Sequence, residues 1–107
     1  MILLLVEVIL VMMYLDEYET LIEKYIEQKE LSISIIMKES KVEYPIAERV
    51  YLEWINYHDE VYWHSCIYEI SFMDEVPTPI RIMKMFNISY YFAEKLFNHY
   101  IEMVNDK

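Results

Sequence analysis

Glycine is absent from all 107 residues. A P-loop, a G-x-G-x-x-G dinucleotide turn and a G-x-S-x-G nucleophile elbow each require it, so these nucleotide and hydrolase sites are excluded. Two-residue β-hairpins lose their preferred residue as well, which turns the expectation from meanders and sandwiches toward helices joined by short turns. Cysteine occurs once, as Cys66, and can form no disulfide within the chain, so a reducing, cytoplasmic setting is expected. Positive charge is scarce. Nine basic residues stand against nineteen acidic ones, a net charge of -10, which opposes phosphate binding when taken over the whole chain.

Apolar residues make up 56% of the sequence, enough for one compact domain or two very small ones on a shared core. Eleven tyrosines are more large amphipathic side chains than so small an interior accommodates, so some are expected in a partner interface.

Residues 1–15, MILLLVEVILVMMYL, are apolar except for Glu7. As a helix they would span roughly 22 Å, short of the roughly 30 Å hydrocarbon core, and a signal peptide would need a basic start and a small-residue cleavage site. No membrane association is expected. Residues 1–13 read instead as a segment buried at a homodimer interface, or as the product of a mis-assigned start, with Met12 or Met13 as the true one.

The chain matches itself at an offset of 46 residues. Seven of the twenty positions 36–55 are identical to 82–101, including Met37/Met83, Lys38/Lys84, Tyr44/Tyr90, Ala47/Ala93 and Glu48/Glu94, where roughly one or two are expected by chance at this composition. Two units follow, 14–59 and 60–107, each read as three helices. The first helix, 15–29, places Leu15, Tyr18, Leu21, Ile22, Tyr25 and Ile26 on one face. The second opens after Ser32, and its counterpart after Thr78 with Pro79 at the first helical position. The third runs from about Pro45 to Tyr57 and from Tyr90 to about Val104. Segment 61–72, VYWHSCIYEISF, is rich in strand formers but has no turn residues to fold it into a hairpin, so helix is preferred.

Between second and third helices lie Ser40–Glu43 and Phe86–Ser89, each four-residue turn carrying one aliphatic residue, Val42 or Ile88. Each third helix has an early alanine, Ala47 or Ala93, small enough for close crossing. That is the packing pattern of a helix-turn-helix. The expected architecture is all-α, two tandem three-helix helix-turn-helix units, winged-helix-like with the wings reduced or absent.

The stretch LDEYETLIEKYIEQKELSISIIMKESKVEYPIAERV resembles the gamma domain of bacterial FtsK-type DNA translocases through Ser32, Ile33 and Ser34, then Val42, Tyr44, Ala47 and Arg49. The resemblance covers about 14–57 and, more loosely, the second unit. It implies a winged helix that contacts duplex DNA late in its second helix and early in its third. Lys38, Lys41 and Arg49 hold basic character at the corresponding positions, as do Lys84 and Lys95 in the second unit.

Charge is unevenly spread. Residues 1–30 hold two basic and seven acidic residues and 58–76 none and five, while 31–57 hold three and four and 77–107 four and three. Acidity therefore gathers on the first helix of each unit and leaves both helix-turn-helix pieces nearly neutral. Lys38, Lys41, Arg49, Arg81, Lys84 and Lys95 are the candidate DNA contacts, or else solvated surface cations. Tyr91 and Phe92, at the start of the second unit's third helix, are the candidate contacts to another protein chain.

His58, His64, Cys66 and His99 hold no metal pattern, since His64 and Cys66 would point about 200° apart on a helix. His58 and His99 are expected at helix ends and Cys66 in the packing. No nucleophile, base and oxyanion donor assemble, so no enzyme, cofactor or metal is expected. The leading expectation is a small, homodimeric DNA-binding protein that regulates transcription or replication in a compact, AT-rich genome such as a virus or plasmid. The alternative is an acidic protein–protein adaptor or inhibitor on a winged-helix-like fold that no longer binds DNA.

Overall fold

The computed structural model describes residues 16–106, and all of its regular structure is helical. The apolar segment 1–13, with its expected dimer interface or displaced start, lies outside these residues. Helix α1 covers 16–25 of the described chain, followed by α2 Ile33–Ser40, α3 Tyr44–Tyr57, α4 Glu60–Ser71, α5 Pro79–Phe86 and α6 Tyr90–Asn105. Among the described residues there is no strand, and no helix is long and apolar enough to cross a membrane.

Local chemistry explains the boundaries. Ser32, Asp59, Thr78 and Ser89 each accept a backbone N–H of the following first turn through the side-chain oxygen, the standard remedy for unpaired donors at a helix start. Segment 61–72 is helical despite its strand formers. Asp59 caps it, and Cys66, Ile67 and Ile70 fall on one buried stripe. α1 ends at 25 rather than at the expected 29, and residues just past its end are held by side chains of α3 and its C-cap. The Trp54 indole N–H donates to Gln28 O at 2.8 Å, and His58 Nε2 donates to Ile26 O at 2.8 Å.

The offset of 46 recurs in the fold. α2 and α5 start and stop at equivalent residues, and α3 and α6 start at equivalent residues. Both intervening turns are made by a left-handed residue, Lys41 (φ 55°) and Asn87 (φ 53°), where helices commonly use glycine. Asparagine tolerates that conformation, while lysine carries a Cβ penalty there. Ile36 and Ile82, Ala47 and Ala93, and Val50 and Leu96 are all fully buried at matched positions, so α2 crosses α3, and α5 crosses α6, over an alanine. α4 touches both α3 and α6 and links the halves. The molecule is a plate of 45 × 43 × 16 Å, which places its halves side by side.

Candidate functional site

The start of α6 is docked on the first half of the chain. Glu19 of α1 accepts the backbone N–H of Tyr90 at 2.5 Å and of Tyr91 at 3.3 Å, so a carboxylate sits at the positive end of the helix dipole. Glu53 of α3 accepts Ser89 N–H at 2.9 Å and the Tyr18 hydroxyl at 3.1 Å on a single oxygen. Its other oxygen is buried and has no hydrogen-bond partner among the described residues. Phe92 is fully buried, its ring edge-on to Tyr57 at 5.1 Å and tilted against Trp63 at 5.3 Å. The Tyr91 and Tyr57 hydroxyls both donate to Glu27 Oε1.

Tyr91 and Phe92, the expected contacts to another protein chain, lie against the first half of their own chain: Phe92 is buried there, and Tyr91 is half-buried with its hydroxyl on Glu27.

Burial sets the electrostatics of this joint. Desolvation raises the Glu53 carboxyl above the ordinary carboxylate range, against the pull of the Ser89 and Tyr18 hydrogen bonds. Burial, then the neighbouring Glu53 charge, pushes the Tyr18 hydroxyl up. Glu27 moves the other way, because the Tyr57 hydroxyl donates to its charged form. Cys66 packs inside, and burial pushes its thiol up to about 11.

All six candidate DNA contacts are exposed, and they differ in what lies beside them. Arg49 lies over the Tyr18 ring at 4.8 Å and donates to Asn87 Oδ1 at 3.4 Å at the exposed edge of the joint. Lys95 stands over the Tyr91 ring at 5.3 Å, and its charge helps hold Glu27 ionised. Arg81 shares a surface hollow with Asp74 and Glu75. Lys38, Lys41 and Lys84 are exposed at the ends of α2 and α5. The structure thus joins Arg49 to the second half's turn and leaves these lysines at the two matched turns.

No family model, curated protein or solved structure matches the chain. The likeness to the FtsK gamma domain stands on the quoted residues alone. Among the described residues no group of three or more His, Cys, Asp or Glu side chains could hold a metal ion.

A second feature is a cleft of about 440 Å³ between α4 and α6, lined by His64, Ile67, Tyr68, His99, Tyr100 and Met103 among others. Sequence reasoning missed both this cleft and Glu53. The signal for Glu53 was present. It lies three residues after Val50 and six after Ala47, on the apolar stripe of α3, where a carboxylate needs a buried donor.

Proposed function

We propose that the chain is a protein-interaction module built on two tandem helix-turn-helix units, an adaptor or inhibitor rather than a groove reader. The observation that carries this reading is the docking of the α6 start on the first half, where Phe92 is buried and Tyr91 half-buried. A recognition helix contacts base edges through its N-terminal residues, and here the Tyr90 and Tyr91 amides are capped by Glu19 and the Phe92 ring is packed on Tyr57. The matching start of α3 offers Glu43, Tyr44 and Pro45, all exposed, followed by Glu48, and so presents carboxylates where phosphates would approach. With the net charge of -10, the balance favours apolar and tyrosine-rich protein contacts.

Duplex DNA binding, with regulation of transcription or replication by a homodimer, is the second reading. One observation favours it: Lys38 and Lys84 are exposed at equivalent ends of α2 and α5, with Lys41 beside the first. Fluorescence anisotropy of a labelled random-sequence duplex separates the two. The interaction module gives no change even at low salt. Binding that weakens with salt by about 0.9 in log K per phosphate neutralised, and that Lys38→Glu/Lys84→Glu abolishes, would establish the second reading.

A further inference from the structure

We propose that the cleft between α4 and α6 receives the start of α3 from a second copy of this chain, so that copies join head to tail. This rests on the interaction-module reading and names its partner. Every residue lining the cleft lies 46 positions after a residue of the α1–α3 face: His64 after Tyr18, Tyr68 after Ile22, His99 after Glu53, Met103 after Tyr57. In the first half that face is closed by the second half, through Ser89 on Glu53 and Phe92 on Tyr57. In the second half it is open. Ile22 is 0% exposed, while its counterpart Tyr68 is 64% exposed.

The same offset identifies what fits. The parts that close the first cleft are Ser89, Tyr91 and Phe92, and 46 residues earlier stand Glu43, Pro45 and Ile46. These belong to the start of α3, where Tyr44 is 51% exposed. Glu43 occupies the N-cap position but makes no side-chain cap bond, which leaves its carboxylate available. The polar pair is complementary with its roles exchanged. Inside the chain the cleft supplies an acceptor, Glu53, and the incoming helix start a backbone donor at Ser89. Between copies the cleft supplies an imidazole, His99, and the incoming helix start a carboxylate, Glu43. Such a contact uses different surfaces on its two partners. It is heterologous, and propagates into a ring or an open chain of copies.

Sedimentation velocity on the full chain over a wide concentration range tests this. Mass should rise with concentration past that of a dimer. Tyr68→Asp in the cleft and Tyr44→Asp at the helix start, both at exposed positions, should each weaken association at least tenfold with an unchanged far-UV circular dichroism spectrum. An equimolar mixture of the two variants should form a 1:1 dimer and nothing larger, because one intact cleft meets one intact helix start. A full-chain Leu4→Asp/Ile9→Asp variant should associate as the parent does.

Monomers at every concentration, assembly indifferent to both tyrosine changes, or assembly lost in the Leu4/Ile9 variant would each overturn the proposal. A monomer that binds no duplex overturns the self-docking alone. An oligomer that also binds duplex supports the self-docking and overturns the interaction-module reading.

Discussion

The two halves share a helical frame and differ in what covers it. In the first, the face between α1 and α3 is closed by Ser89 and Phe92, and Ile22 there is fully buried. In the second, the equivalent face between α4 and α6 carries two histidines and Tyr68, and is open. Matched backbone therefore does not imply matched surface. Ala47 and Ala93, or Ile36 and Ile82, preserve the crossing of helices inside each half, while residues outside that crossing decide whether a face is interior or exterior.

The comparison is broken most severely at Phe92. Truncation to alanine should cost about 3–5 kcal/mol in urea denaturation, as for other fully buried aromatic residues, whereas Ile46→Ala at the half-buried counterpart should cost about 1–2 kcal/mol. Equal losses would show that α6 is not seated as described.

Glu53 gives the next effect. Glu53→Leu orphans the Tyr18 and Ser89 donors and should cost about 2 kcal/mol. Glu53→Gln keeps an acceptor and removes a titration. Because burial raises the folded-state value of this carboxyl above its unfolded one, its contribution is complete below the ordinary carboxylate range and declines as pH rises through the folded value. Glu27, lowered by the Tyr57 hydroxyl, acts in the opposite sense: its contribution is present above the ordinary range and lost as pH falls through its folded value. Stability measured against pH should therefore decline less just above the ordinary carboxylate range in Glu53→Gln, while the acid-side loss and the alkaline loss from buried tyrosines such as Tyr18 remain.

The smallest effect sharpens the matched turns. Lys41→Gly should raise stability by about 1 kcal/mol by removing a Cβ clash at φ 55°, and Asn87→Gly should change it by only a few tenths. A melting-temperature gain confined to the first change would confirm that the two turns share a geometry and differ in strain.

Much of the frame was legible in the sequence. The offset of 46 placed α2 against α5 and α3 against α6, Ser32 and Thr78 marked the caps, and the missing hairpin turn identified α4 as a helix. The joint was not legible, because periodicity reports which face of a helix is apolar and not which neighbour covers it. Tyr91 and Phe92 looked exposed for that reason. Nor did spacing show that Arg49, read as a phosphate contact, also lies over the Tyr18 ring and donates to Asn87. The contacts just past α1 were hidden too, since Gln28 and Ile26 accept from Trp54 and His58, far along the chain.

One oxygen of Glu53 is held in common by a hydroxyl from the first helix and an amide from the second half. Severing the chain at Asp59 would strand a desolvated acid in one fragment and deprive α6 of its Glu19 cap in the other. The duplicated frame is accordingly expected to open as one cooperative unit, with amides of both halves exchanging with solvent together, rather than as two beads on a string.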